Sequence, residues 1–454
     1  MTQGVGSEIL LDRACRKVTR RILPLLFLSY IVAYLDRINI SFAKLQMVTD
    51  VGLSDATYAI GASIFFWSYM VFEVPSNLLL KKVGARVWIS RIMVSWGGVS
   101  VLMMFITPIA AFFHTSQTTV FYALRLLLGA CEAGFLPGVL YYLANWLPTN
   151  KQAKMFAMFL VSLPVGLMLG GPLSGWVLHA SADFGHFKGW QWLFLIEGLP
   201  SIVMGIVIFI WLPRNITSSR WLSNEEKDCL TASLHKESVH KVESVLAAAK
   251  DGRVWLLILI LLAMNTGFYG LSFWLPTIVH RAGVNDPLTI GLLTAIPWLA
   301  SIPCLIFNAA HSTRTGERRL HAAVPALIGG VAFLASAIAG SHFYLSLACL
   351  TVATGSLLAA FPIYWTFPNQ ILSGAAAAAG LALINSIGAL AGVFGSVTSA
   401  IAESLTGNIN NGTYIFGALE LLGGLLILAL PRMGSERKPS VQLEIGTPAS
   451  EKRV

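Results

Sequence analysis

Two arginines and two acids stand in stretches that are otherwise apolar: Asp36 with Arg37 and, farther along, Arg125 with Glu132. An arginine presents a planar fork of donors that matches a carboxylate, and it keeps its charge when desolvated. Two such forks in a wet cavity make a receptor for an organic anion. A buried carboxyl changes its hold on a proton as burial and nearby cations change, so it can load and release one during a conformational cycle. Arg37 and Arg125 are therefore the candidate anion ligands, and Asp36 and Glu132 the candidate proton-coupling acids.

Their spacing adds to this reading. Tyr34, Arg37 and Ser41 share one helical face by i, i+3 and i+4, with Asp36 beside them. Arg125, Gly129 and Glu132 follow i, i+4 and i+7, nearly two turns or about 10.5 Å of rise, so the two charges project from one stripe. Gly129, Ala130, Cys131, Ala133 and Gly134 surround the carboxyl and allow a second helix to approach closely. The plainer alternative is that Asp36 pairs with Arg37 or Arg125 only to hold helices together. Glu73 and Glu197 lie near helix ends, where packing or capping accounts for them, and Arg91 is placed to snorkel. The second half of the chain offers mostly neutral polar groups at midspan: Asn265, Tyr269, Tyr364, Trp365, Asn369 and Asn385. Such groups facing a cationic half suit hydroxyls or a ring.

These residues need elements to hold them inside a membrane. Of 454 residues, 56% are hydrophobic and 12% charged, with 13 Trp and 25 Phe; soluble domains carry about 25% charged residues. A span takes about 20 mostly apolar residues, and twelve such stretches follow one another near 22–44, 57–80, 87–108, 118–145, 153–178, 190–212, 254–280, 288–310, 320–340, 343–367, 376–402 and 412–431. A charged group at the centre of such a helix costs at least ~2.5–3.5 kcal/mol on insertion scales and so tends to serve a cavity or a partner. By this reading Asp36, Arg37, Arg125 and Glu132 are the deep ionisable groups, all in the first half.

The fold class expected is an all-α membrane protein of twelve transmembrane helices in two pseudo-symmetric six-helix halves. Residues 22–212 and 254–431 form the halves, 213–253 the linker between them, and 1–21 and 432–454 the terminal segments. Within the linker, Ser223 precedes Glu225 and Glu226 as the cap of a short surface helix. Lys81-Lys82-Val83-Gly84-Ala85-Arg86 after the second span and Thr313-Arg314-Thr315-Gly316-Glu317-Arg318 after the eighth are basic, glycine-centred turns at matching places, a trace of duplication. Twenty-five Lys and Arg fall on the side of the termini against three (Lys44, Lys188, Arg281) on the other, which predicts cytoplasmic termini and loops on that side. The net charge of +9 thus reads as topology and not as nucleic-acid binding. Residues 1–21 are basic and lead into a full span, so the first apolar stretch is expected to be a helix of the protein and not a cleaved signal.

Other chemistries find little support. Five cysteines without CxxC spacing imply neither a disulfide framework nor a metal site, and nine scattered histidines lack HxxxH spacing. No nucleophile or cofactor loop points to an enzyme, and nothing resembles a channel filter; neither metal nor cofactor is expected.

At these positions the chain resembles the major facilitator superfamily and, within it, the anion:cation symporter family of organic-anion permeases. The resemblance runs from Arg21 to Pro431. It is carried by Tyr34-Leu35-Asp36-Arg37-Ile38-Asn39-Ile40, by Tyr69 to Glu73-Val74-Pro75-Ser76-Asn77, by Arg125 with Glu132-Ala133-Gly134-Phe135-Leu136-Pro137-Gly138, by Gly189-Trp190-Gln191-Trp192, by Phe273-Trp274-Leu275-Pro276, by Trp365-Thr366 and by Gly380 to Asn385. The run is most similar to permeases for rhamnonate-type sugar acids, with tartrate, phthalate and hydroxyphenylacetate permeases close behind.

The resemblance implies that Arg37 and Arg125 bind the substrate carboxylate, that Asp36 and Glu132 are proton-linked, and that Tyr34, Tyr69, Trp365 and Asn385 line the pocket. Two departures stand out: Ser162 and Pro362 occupy positions where a sugar-acid relative has hydroxyl-reading polar groups. The basic turns also lack the superfamily's acidic residue, with Lys81 and Thr313 in its place. The expected function is proton-coupled uptake of a small organic anion (a sugar acid, a tartrate-like acid or an aromatic carboxylate) by alternating access, acting as a monomer in the inner membrane. Exchange of organic anions on the same fold is the alternative, for which Gly170-Gly171-Pro172 is a faint antiporter-like sign.

Overall fold

A computed structural model describes residues 2–181, 185–235, 250–340, 342–368 and 375–430. Among the described residues twelve helices are long and apolar enough to cross a membrane: α1 Glu8–Val51, α2 Asp55–Val83, α3 Ala85–Phe112, α4 Gln117–Ala144, α5 Met158–Ala180, α6 Gly189–Trp211, α7 Gly252–Arg281, α8 Pro287–Thr315, α9 Arg319–Ala339, α10 Phe343–Tyr364, α11 Leu383–Thr406 and α12 Ile409–Ala429. The twelve expected spans are all there. Their ends are set by local chemistry. Ser54 and Ser116 accept the backbone N–H three residues on, capping α2 and α4 at 3.0 and 3.1 Å, as N-cap hydroxyls do. Asp286 caps α8 in the same way at 2.9 Å, with Pro287 at its first position, where a proline's missing donor is not needed. The two basic turns close on glycines with positive φ, 95° at Gly84 and 70° at Gly316, a backbone region that disfavours any Cβ.

Helix pairing repeats with a period of six. In the first half α3 packs on α6, α2 on α4, and α1 on α5 and α6; in the second α9 packs on α12, α8 on α10, and α7 on α11 and α12. Across the halves α5 meets α8, α2 meets α11 and α1 meets α7; the same exchange turns the first pair into the second and maps the third onto itself. This is the two-half, pseudo-symmetric helical fold expected. The α5–α8 contact is close enough that a Cβ on Gly171 would lie 2.6 Å from the Gly291 carbonyl oxygen, so only glycine fits there.

Polarity runs from the inside out. Trp211 is 76% and Phe112 77% exposed, whereas Asp36 is 4% exposed. Broad apolar surface of this kind meets a partner or a lipid, and a twelve-helix bundle wrapped in it is built for the bilayer. In the linker, the helix Asn224–His235 opens with a reciprocal cap between Ser223 and Glu226 at 3.2 and 2.9 Å, a capping box. Glu226 also holds Lys17 of α1 at 2.6 Å, which fastens the linker to the first half. Residues 236–249 and the tail 432–454 lie outside the described residues.

Candidate functional site

Asp36 and Arg37 are adjacent on α1, but neighbouring helix positions point about 100° apart, and the two side chains part company. Asp36 turns into the first half, where its Oδ1 accepts from the Asn39 amide at 2.9 Å and from the Ser100 hydroxyl of α3. Neither arginine is its partner, so the helix-clamp alternative does not describe it. Arg37 turns toward α4 and forms an ion pair with Glu132. Its guanidinium stands 5.1 Å from the Tyr34 ring centroid and 5.8 Å from those of Phe65 and Tyr69, a cation among aromatic rings. Its Nε is buried without a hydrogen-bond partner among the described residues.

Arg125 approaches the same place from α4. Its guanidinium lies 4.8 Å from the Phe65 centroid and its Nε donates to the Gly61 carbonyl at 3.2 Å. Both arginines therefore flank one ring, Phe65. Arg125 and Glu132 lie in one unbroken helical segment, Gln117–Glu132, which keeps them on one stripe, and Glu132 takes its cation from α1, pairing with Arg37. Just past Glu132 α4 breaks: one helical segment ends at Glu132, Gly134 takes φ 88°, and the next starts at Phe135. A Cβ on Gly134 would lie 2.4 Å from the Ser76 hydroxyl, so α2 presses into this break. A carboxylate at a helix C-terminus opposes the helix dipole, and the Arg37 charge offsets that cost.

From the second half, Asn385 of α11 donates to Glu73 of α2 at 2.6 Å. Glu73 follows Tyr69 by one turn on the same face and is 2% exposed. The end-of-helix account of Glu73 is thus corrected: it is an interior group bonded across the two halves. Trp365 has its ring contacts with Phe361 and Tyr364, at 6.1 and 5.4 Å, and the structure does not tie it to the arginines. Tyr269 packs on Phe66 at 4.7 Å. The Ser41 hydroxyl is spent on the Ile38 carbonyl of its own helix, and Asn369 lies outside the described residues.

Further ionisable groups were misplaced or overlooked from sequence. Glu197 is 1% exposed and accepts from Ser174 of α5 at 2.7 Å, so it too is interior. Glu420 of α12 is fully buried, and neither oxygen has a partner among the described residues; the second half is therefore not free of deep acids. Its place in the apolar run Ala418-Leu419-Glu420-Leu421-Leu422 was the available signal. Lys44, which the sequence places at the end of the first span on the side opposite the termini, is only 5% exposed. It binds Asp55 at 2.8 Å and lies 3.8 Å from the Trp274 ring centroid. Its i+7 relation to Arg37 could have shown that it faces inward.

Lys44 belongs to a network between the halves on the face opposite the amino terminus. Asp55 of α2 also meets Arg281 of α7 at 3.2 Å, and Arg281 meets Glu403 of α11 at 2.8 Å. Nearby, His179 of α5 lies 3.0 Å from Asp286, and deeper in, Ser63 and Ser396 share a hydrogen bond at 2.9 Å. On this face the halves are joined.

Among known proteins, residues 26–396 match the family described as the Major Facilitator Superfamily. The chain is 41% identical to a Pseudomonas putida protein named as the metabolite transport protein NicT, over 91% of this chain and 94% of that one. It is 39% identical to an Agrobacterium vitis protein named as a tartrate transporter, over 94% of each. A solved structure of the xylose transporter XylE from E. coli superposes with a TM-score of 0.72 at 15% identity, covering 91% of this chain and 98% of that one.

Proposed function

This chain belongs to the major facilitator superfamily of transporters and is not an enzyme, and from that premise we propose that it takes up a small organic anion together with protons. The observation that carries the reading is the Arg37–Glu132 pair beside Arg125, buried where the two halves meet. An incoming carboxylate needs the fork that Glu132 now occupies. A proton delivered to Glu132 neutralises it and releases Arg37, so anion and proton bind together and neither is favoured alone. Arg125 supplies the second cation, which Gly61 orients without neutralising. Asp36, held by neutral donors in the first half, is the second proton-linked acid. Tyr34, Tyr69 and Asn385 surround the anion, and Trp365 completes the pocket wall as α10 moves. The name of the Agrobacterium relative supports a tartrate-like acid, with sugar acids and aromatic carboxylates in the same class.

Alternating access follows from the two halves, taken as 22–212 and 254–431, rocking about this site. The Lys44–Asp55–Arg281–Glu403 network is the closure on one face. With the basic loops cytoplasmic, both termini lie in the cytoplasm, the closed face is the outer one, and the carrier works as a monomer in the inner membrane. Exchange is the weaker reading, since Gly171 is accounted for by its contact with Gly291.

Reconstitution in proteoliposomes tests this. An inwardly directed proton gradient drives accumulation of tartrate, of a sugar acid or of an aromatic acid by the wild type, and Glu132→Gln abolishes accumulation while counterflow exchange persists. Accumulation unchanged in that variant overturns the coupling role. Uptake that requires a counter-anion inside, whatever the gradient, makes the protein an exchanger.

A further inference from the structure

We propose that Glu73 and Asn385 form a hydroxyl-reading subsite, so that the protein selects hydroxylated organic acids over their unsubstituted counterparts. This rests on the organic-acid reading above. The subsite is built by both halves: Glu73 lies on α2 and Asn385 on α11, joined at 2.6 Å. One carboxyl oxygen of Glu73 takes the Asn385 amide proton. The other, Oε2, is buried and meets no donor in bonding geometry among the described residues, although the Ser386 hydroxyl also faces the carboxyl. A buried acceptor left open is costly, and native structures rarely leave one without a use.

The position suits a substrate whose carboxylate is already held. Tyr69 stands by the Arg37 guanidinium, and Glu73 follows it by four residues, about 6 Å along α2. A carboxylate on Arg37 therefore directs the remainder of a short acid along α2 toward Glu73. A hydroxyl there donates to the open Oε2 and accepts from Asn385, which serves both of its hydrogen-bonding capacities. An acid lacking the hydroxyl brings neither and leaves Oε2 unmet, the situation in which a polar site rejects an apolar analogue. Glu73 also explains how hydroxyls are read although Ser162 and Pro362 replace the polar residues of a sugar-acid relative. The Ser162 hydroxyl is taken by the Phe159 carbonyl of its own helix, so the reading function passes to α2 and α11.

Binding to purified protein of three matched pairs tests the subsite: tartrate with succinate, gluconate with hexanoate, and 4-hydroxyphenylacetate with phenylacetate. In the wild type the hydroxylated member of the bound pair is favoured by roughly 10- to 100-fold, the range for a hydrogen bond to a charged group. Glu73→Ala weakens that member by a similar factor and brings the ratio toward one. Glu73→Gln, which keeps the shape and one acceptor, retains part of the discrimination and covers the case in which the alanine variant fails to fold. A ratio unchanged in folded Glu73→Ala or Glu73→Gln protein overturns the subsite and leaves the organic-acid reading standing. No binding of any of the six acids to the wild type overturns that reading, and the subsite with it.

Discussion

Replacing Glu132 by glutamine should tighten anion binding while loosening the empty protein. In the wild type Arg37 and Glu132 satisfy each other, with side chains 15% and 5% exposed. Removing one partner of a buried pair costs about 3–5 kcal/mol, because the other charge stays desolvated. The glutamine amide oxygen can still accept one hydrogen bond from the guanidinium, worth about 1 kcal/mol. That leaves roughly 2–4 kcal/mol of unmet charge stabilisation at Arg37. A substrate carboxylate supplies the missing charge, and it no longer competes with Glu132 for the fork. At 1.4 kcal/mol per tenfold, apparent affinity rises by as much as about 30- to 1,000-fold, and binding loses the pH dependence that proton competition at Glu132 gives the wild type. Isothermal titration with the anion that binds wild-type protein, at pH 5.5 and pH 8, measures both effects, and thermal unfolding of the empty variant should show a lowered midpoint. Affinity equal to or weaker than wild type at both pH values refutes the competition between Glu132 and substrate on which the coupling mechanism depends.

Three further outcomes follow from the geometry. Arg125→Lys should lower uptake at least tenfold, because a point charge cannot bond the Gly61 carbonyl and offer a fork at once; normal uptake would show that Arg125 acts only as a charge. Lys44→Ala or Glu403→Gln should weaken the closure opposite the amino terminus, read as a several-fold faster reaction of a cysteine placed at Ser63 with a membrane-impermeant thiol reagent added from that side. The Glu226 carboxyl, which burial would push up, is pulled below the ordinary carboxylate range by the Lys17 ammonium and the Ser223 backbone. Such a lowered group stabilises the folded state at neutral pH, and the contribution is lost as pH falls through its folded-state value. The protection factors of residues 224–235, taken against the intrinsic exchange rate at each pH, should therefore fall on acidification from pH 6 toward pH 3, more steeply than in α1, and an equal response in Glu226→Gln would exclude this linkage.

Apolar length and the placement of basic residues were enough to predict twelve helices, because a spanning helix must satisfy its backbone within one continuous segment. The glycine turns at Gly84 and Gly316 were legible for the same local reason. Arg37, Arg125, Asp36 and Glu132 stood out because a charge in an apolar run is conspicuous in one dimension. Pairing was another matter. The pairing of Glu132 with Arg37 and the break at Gly134 beside it depend on how α1, α2 and α4 press together, and the turn of Asp36 toward Ser100 on how α1 meets α3. Glu73, Glu197 and Lys44 read as helix-end residues because depth along a helix can be counted, whereas inward facing shows only through spacing to another buried group, as in the i+7 step from Arg37 to Lys44; Glu420 has only its apolar run to mark it. Sequence alone determined that this chain spans a membrane and keeps cations and acids within it, through local rules of hydropathy and helix geometry. Only tertiary structure decided which acid meets which cation and that Glu73 meets Asn385, because those choices are made by contacts between segments up to 312 residues apart.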